Sequence, residues 1–398
     1  MTDVTNQSKP LRIASLDAFR GFDMFWIMGG EGLACAVAAL LGFPDFKARI
    51  DHVPWAGLHF MDTIFPAFLF VAGASFVFSC AKSLEKGLSR PQIALKVLRR
   101  GLTLIALGLV YNAVRCRLHF ADLRIPSVLG YIGFGWMCAA WIYLWVRSVK
   151  KRIFIAGGIL AAVTLFFGMV VAPDAKDVFA QIIERVMSEG EGGTGWSVYA
   201  RLGMGPFTPA GHFGCYLDRI VFGRHALGAL FDNEGFGGLL STIVTAMLGV
   251  FAGEIVRRGG CVATGRKAVE LVVAGLGCLV AGLALSWYYP IIKNVWSPSF
   301  VLVVAGYSFV MSALFYWIID VKGWSRWSFV LQVIGLNAIT IYMAQAFIRV
   351  DEVRDFFLGN VERCFPGLWG MLICRIAYVI LCVIALFFLH KKKWYLKV

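Results

Sequence analysis

Ten stretches of this chain stay apolar for about the thickness of a lipid bilayer, and that feature decides most of what the chain can fold into. They run at roughly 16–41, 55–80, 98–114, 126–146, 153–172, 238–256, 268–289, 299–319, 327–349 and 367–389. At 1.5 Å of rise per residue, a helix of such length crosses about 30 Å of hydrocarbon. Composition agrees: 59% of the 398 residues are hydrophobic and only 16% are charged, against about 25% charged in a soluble domain. Mean hydropathy is +0.73. A disordered chain, a coiled coil and a small disulfide scaffold are excluded, and no ten-residue alternation suggests a β-barrel. The sequence predicts an all-α, polytopic transmembrane bundle of about ten helices. It forms a single domain over 1–398, with five helices in 1–172, a loop region at 173–237 and five more helices in 238–398.

The net charge of +14 calls for no nucleic-acid partner once its placement is read. With the N-terminus inside, inner segments hold 22 Lys and Arg and outer segments 14, while Arg20 and Arg375 lie within spans. The positive-inside rule then puts both termini in the cytoplasm. A polar start runs straight into a span containing Asp17, Arg20 and Asp23, so no cleavable signal peptide is read. The 10 cysteines are scattered without a CxxC, and no metal site is expected. Cys116, Cys215 and Cys364 fall on the outer side, where pairing is open. The outer segments carry no glycosylation sequon, which favours a bacterial inner membrane. The loop region, with its Gly-rich text Glu189-Gly-Glu-Gly-Gly-Thr-Gly195, is expected to be a partly ordered outer cap.

Ionisable groups inside spans are costly and face a bundle interior or a wet cavity. Asp17 and Arg20 are spaced to pair on one helix face near the inner end, either clamping the first helix or reaching a cofactor phosphate. Glu31 follows Gly29 and Gly30, which permit close approach. The second run opens on Asp51, His52, Pro54, Trp55, Gly57, His59 and Asp62, with Pro66 a turn later. This text predicts a helix from about Trp55 with Asp62 roughly 10 Å inside its mouth, and Pro66 freeing carbonyls to line a cavity. A histidine at a membrane boundary titrates near neutrality and can take a proton from an amine or hydroxyl. Most such histidines are merely interfacial, but a carboxylate buried in the outer leaflet wants a partner. Further polar groups come from Asp232 and Glu234 before the sixth run, Lys293, Asn294 and Ser297 before the eighth, and Asn337, Tyr342 and Gln345 on the ninth. All but Asn337 fall near the outer face, so a cavity there is expected.

In order, these motifs resemble the heparan-α-glucosaminide N-acetyltransferase family of transmembrane acyltransferases. The matching text is Ser15 to Gly21 (Ser-Leu-Asp-Ala-Phe-Arg-Gly) and His52 to Leu58 with Asp62 and Phe65-Pro66. It continues with Arg124-Ile-Pro126, Tyr216 to Arg219, Asp232 to Gly235, Pro290 to Ser297 and Gly335 to Tyr342. Departures are Leu129-Gly130-Tyr131 where the family often reads Leu-Gln-Arg, Asn233 in place of a Pro, Ala56 in place of an Asn, and Gln345 in place of a His. The resemblance implies an integral membrane enzyme that takes the acetyl group of cytosolic acetyl-CoA and transfers it to a glucosamine amine on the far side. It places the family's active-site histidine at His52 and its neighbouring acid at Asp62.

Acyl transfer to an amine needs a deprotonated nitrogen, a thioester carbonyl about 3 Å away and donors for the oxyanion. His52 is read as base or acyl carrier and Asp62 as the group that orients it. Acceptor candidates are Trp55, Asp218, Asp232, Glu234, Lys293, Asn294, Trp296 and Asn337. Coenzyme A phosphates should seek basic residues, for which Arg20, Arg99, Arg100 and Arg124 are candidates. Partners are then an amino-sugar or glycan acceptor and membrane lipid, with a homodimer left open. Two other readings stand beside this one: a carrier of amino sugars or their acetyl derivatives, and an O-acetyltransferase of glycans.

Overall fold

A computed structural model describes residues 13–189, 196–259, 262–348, 352–353, 355–356, 359, 365 and 367–396. In chain order the described helices longer than one and a half turns are α1 (Ala14–Leu40), α2 (Phe60–Glu85), α3 (Arg90–Arg115), α4 (Val128–Trp145), α5 (Val149–Met169), α6 (Ala175–Glu189), α7 (Trp196–Leu202), α8 (Phe213–Val221), α9 (Phe236–Arg257), α10 (Gly265–Ser286), α11 (Pro298–Val321), α12 (Phe329–Leu336), α13 (Ala338–Phe347) and α14 (Leu368–Lys391). Eight of them, α1, α2, α4, α5, α9, α10, α11 and α14, are long and apolar enough to cross a membrane. The third expected run lies within α3, which is 26 residues long but carries Arg99, Arg100 and Arg115. The ninth is broken, with α12 and α13 meeting at 64°. The protein is thus the all-helical polytopic bundle the apolar runs imply, an integral membrane protein. Cys364 and the segment around Gly195 lie outside the described residues; Cys116 and Cys215 are free thiols.

Local chemistry sets the helix ends. Ser89 and Gln92 form a capping box at α3 with Pro91 between them, and Ser127 and Ser297 accept backbone hydrogens at the starts of α4 and α11. The bundle is organised around α2 and α9, whose apolar windows are 61% and 67% buried against 22% for α5, α10 and α14. They cross at glycines: a Cβ at Gly73 would strike the Ala246 carbonyl, and one at Gly249 the Phe70 carbonyl. The described segments between helices alternate between two ends, one holding residues 41–59, 116–127, 170–174, 203–212, 222–235 and 287–297, the other 86–89, 146–148, 258–259, 262–264 and 322–328.

Two irregularities face each other. A π-turn at Trp26–Gly30 interrupts α1, with Gly29 at φ 133°, a conformation that excludes L side chains. It brings the backbone against the Tyr378 ring of α14. Gln345 of α13 reaches across to donate to the Ile27 carbonyl at 3.4 Å. The break at Asn337 arises where its amide bonds back to the Val333 carbonyl at 3.0 Å, a local contact that bends helices. On the other side of the break, α12 packs tightly on α1, Gly335 against the Asp17 carbonyl and Gly21 against that of Leu331.

Candidate active site

The first turn of α2 begins at Phe60, five residues later than its hydrophobicity suggests. Residues 55–58 are taken instead by a pairing with the segment before α11. Ala56 forms an antiparallel bridge with Ile292, Gly57 donates its N–H to the Ile291 carbonyl at 2.8 Å, and Asn294 donates to the Pro54 carbonyl at 2.9 Å. Gly57 sits at φ 126°, where a side chain would be strained. His59 is the N-cap, and Asp62, in the first turn, accepts its backbone N–H at 2.9 Å. Asp62 is thus in the mouth of α2, where the helix dipole favours an anion. Pro66 lies inside α2 and can give no N–H to the Asp62 carbonyl four residues back.

Three side chains meet there. Asp62 Oδ1 stands 2.8 Å from His52 Nδ1, Lys293 Nζ stands 2.8 Å from the same Nδ1, and Lys293 Nζ stands 3.3 Å from Asp62 Oδ1. Asp62 is fully buried, Lys293 nearly so, and the His52 side chain is 52% exposed. Burial pushes the Lys293 pKa below the usual lysine range, although Asp62 pulls it back up. His52 Nε2 makes no hydrogen bond among the described residues and faces outward from the pair. Lys293 is held in place by a tight loop: Trp296 at φ 45° donates its N–H to the Lys293 carbonyl at 2.9 Å, and Ser297 to that of Ile292 at 3.0 Å. A tryptophan in this region is strained and persists only because its surroundings demand it. The His59 ring turns away from Asp62 and bonds the Asp51 carbonyl at 2.7 Å.

The other acceptor candidates are used differently. Trp55 and Trp296 are 2% and 1% exposed, so neither ring offers an open face to a sugar. The Trp55 indole donates to the Phe207 carbonyl at 2.7 Å, and Trp296 packs against Phe65, Tyr131 and Phe300. Asp218 is buried and accepts the backbone N–H of Phe236 at 2.7 Å and of Asp232 at 3.2 Å. Asp232 and Glu234 both bind Arg124, and Asp232 also accepts Leu227 N–H at 2.6 Å. These acids close the junction between α4, α8 and α9 and are not free to meet a cationic sugar. Asn337 is buried on the α1-facing break, at the level of Asp17 and Gly21, away from His52. His212, which the sequence did not single out, is buried at the start of α8 with its Nε2 2.8 Å from the Tyr289 hydroxyl. Burial holds its pKa down at about 3. A histidine after a glycine in a loop carries no pattern that would have marked it.

The four basic candidates also divide. Arg20 binds Asp17 at 3.5 Å and Ser75 at 2.7 Å. Together with Arg100 it lines a cavity of about 140 Å³, which Leu396 also borders. Arg100 lies 4.5 Å from the Trp136 ring centre, and its Nε is buried without a partner. Arg99 is exposed on α3. Arg124 sits at the opposite end of the bundle from Arg20, locked between two carboxylates, and so is no inner phosphate ligand. At its far end the cavity reaches Phe68 and Leu129. Phe68 is six residues beyond Asp62 on α2, about 9 Å along the axis, and the rings of Phe65, Tyr131 and Trp296 are clustered at that level. Among the described residues, no group of three His, Cys, Asp or Glu is arranged to hold a metal ion.

A family model described as heparan-alpha-glucosaminide N-acetyltransferase, catalytic, matches residues 12–191, the stretch that contains His52, Asp62, Arg20 and Arg100. The chain is similar to the heparan-alpha-glucosaminide N-acetyltransferases. The protein of that name from Mus musculus is 26% identical over 449 residues, covering 99% of this chain and 62% of the mouse protein. The one from Homo sapiens is 25% identical over 443 residues, covering 98% of this chain and 60% of the human protein. The resemblance read from the ordered motifs is therefore borne out, and it extends past the family model into the half that supplies Lys293. The chain spans about six-tenths of the length of these N-acetyltransferases.

Proposed function

We propose that the chain is a membrane N-acetyltransferase that moves the acetyl group of acetyl-CoA to the amine of a glucosamine-type sugar, with His52 as the base. The observation that carries this reading is His52 itself. Its Nδ1 is engaged by Asp62 and Lys293, its Nε2 is open at the mouth of α2, and it lies within the stretch similar to the family's catalytic model. In the reaction the amine nitrogen forms a bond to the acetyl carbonyl carbon as the carbon–sulfur bond breaks. The proton of the amine passes to His52 Nε2, and the departing thiolate of coenzyme A takes up a proton. Asp62 keeps the other ring proton on Nδ1 and stabilises the imidazolium as it forms. Lys293 balances the Asp62 charge, and while it stays charged it competes with Asp62 for Nδ1.

The donor enters from the opposite end. The Arg20–Arg100 cavity fits an anionic group, because a guanidinium nitrogen of Arg100 lies buried there unused and charge-assisted bonds to phosphate are strong. The basic residues concentrated at that end support a cytoplasmic side for it, and with it a His52 that faces the periplasm of a bacterial inner membrane. The cavity is narrow, and the Phe65, Tyr131 and Trp296 rings lie between it and His52. Passage of the acyl arm needs those rings to move.

The test uses purified protein with isotopically labelled acetyl-CoA and glucosamine, with products separated by mass spectrometry into amide and ester. The expected result is an N-acetyl product, lowered roughly 10²–10⁴-fold by His52→Ala. An unaltered rate in that variant, or transport of the sugar without any acetylation, would refute the reading.

A further inference from the structure

A second, larger cavity of about 1710 Å³ opens on the flank of the bundle, away from His52. Its walls are α5 and α10, two of the least buried helices, and its floor is formed by α9, α11 and α2. The floor runs along α9 from Val244 to Glu254. That is ten residues, about 15 Å, or half of a 30 Å hydrocarbon core. The slot is therefore at least one leaflet deep.

Its chemistry is graded along that depth. Away from the charged end the lining is apolar, with Leu160, Leu248, Leu302 and Phe309. At the mouth stand Lys82, Arg257 and Arg258, with Glu85 and Glu254. Glu254 is already held by Arg152 at 2.7 Å, and Arg258 by Glu270 at 3.0 Å. Lys82 and Arg257 form no ion pair among the described residues. Arg152, which holds Glu254 from behind the lining, lies over the Tyr143 ring at 4.9 Å and is not counted among the groove's cations. We propose that this groove binds one phospholipid with an anionic headgroup, its phosphate at Lys82 and Arg257 and an acyl chain along Leu248 and Leu302. Uncommitted cations at headgroup level above a leaflet-deep apolar slot fit that amphiphile. A second copy of the chain would bring the same cations to the same mouth.

Gly157 gives a clean way to fill the slot. It lines the groove, and a side chain there meets nothing within 4 Å. The full-length protein, exchanged into mild detergent, is titrated with phosphatidylglycerol and with phosphatidylcholine, and bound lipid is counted by native mass spectrometry. Wild type should retain one phosphatidylglycerol per chain, preferred roughly ten-fold or more over phosphatidylcholine. Lys82→Gln with Arg257→Gln should abolish the preference, and Gly157→Trp should abolish retention of either lipid at an unchanged elution volume. Equal binding of the two lipids by wild type, or phosphatidylglycerol retained by Gly157→Trp, would overturn the proposal. So would displacement of the lipid by coenzyme A alone, which would assign the groove to the acyl donor. None of these outcomes depends on whether acetyl transfer is observed.

Discussion

The ammonium of Lys293 stands 2.8 Å from Nδ1 of His52, across 241 residues of chain. Asp62 approaches that nitrogen equally closely, yet one ring nitrogen cannot both donate to a carboxylate and accept from an ammonium. With its proton on Nδ1 the ring offers a lone pair at Nε2; with Lys293 donating, Nε2 carries the proton and cannot act as a base. Charged Lys293 therefore competes with Asp62 for the tautomer and opposes formation of a second cation beside it.

Because burial lowers the Lys293 pKa, the lysine loses its proton below the usual lysine range as pH rises. The rate of acetyl transfer should climb as pH approaches that point. Lys293→Arg, which stays charged at all accessible pH, should flatten the climb and lower the plateau. A pH–rate profile of the two proteins checks this, and coincident profiles would remove Lys293 from the mechanism.

Asp62→Asn keeps the shape of the side chain but removes the charge that holds the proton on Nδ1. A fall of roughly 10³–10⁴ in kcat is expected, with little change in the KM of either substrate. Steady-state kinetics on the purified variant measures it.

At the other end, Arg20→Met and Arg100→Met should raise the KM for acetyl-CoA and leave the acceptor KM in place. Leu396 borders the same cavity, and its backbone is tied to Thr340 Oγ1 at 3.3 Å. Leu396→Ser should widen the mouth and lower the KM for acetyl-CoA. Initial rates with one substrate varied at a time separate these effects.

Legibility differed sharply between the spans and the site. Apolar runs about 20 residues long announce themselves, because lipid imposes helix and length together. Residues 55–58 were placed in α2 because they are apolar, while the partner that holds them extended, Ile291 and Ile292, is far along the chain. The pairing of His52 with Asp62 was within reach of spacing; Lys293 as their third member was not. The acids Asp218, Asp232 and Glu234 looked like a cation site because nothing in sequence pairs Arg124 with residues 108 and 110 positions away. The break at Asn337 had no proline to mark it, and Gly335 two residues earlier reads equally well as a close-packing glycine.

Arg124 is the keystone of the cap. Burial raises the Glu234 pKa even with Arg124 beside it, so removing the guanidinium would leave two buried carboxylates without a counter-ion. Arg124→Met should cost about 3–5 kcal/mol, read as a lower unfolding midpoint, and Arg124→Lys should recover part of it.

Two groups in the cap give stability opposite pH slopes. Burial raises Asp218 to about 7, so its contribution is full below about pH 4, its unfolded value, and is lost as pH rises through 7. His212 is lowered to about 3, so its contribution is full above about pH 6.5 and is lost as pH falls toward 3. Asp218→Asn should flatten the loss that runs from about pH 4 up to 7, and His212→Gln the loss that runs from about pH 6.5 down toward 3 while lowering stability throughout. Thermal unfolding between about pH 4 and pH 9 compares them.

The bridge between Ala56 and Ile292 also sets an order in time. A ribosome releases the imidazole and the carboxylate with the second span, and the amine that completes them only after α10 has been threaded. An unfinished chain, or one severed between α5 and α9, carries the first two groups without the third. The reactive centre thus doubles as a record that both halves were inserted.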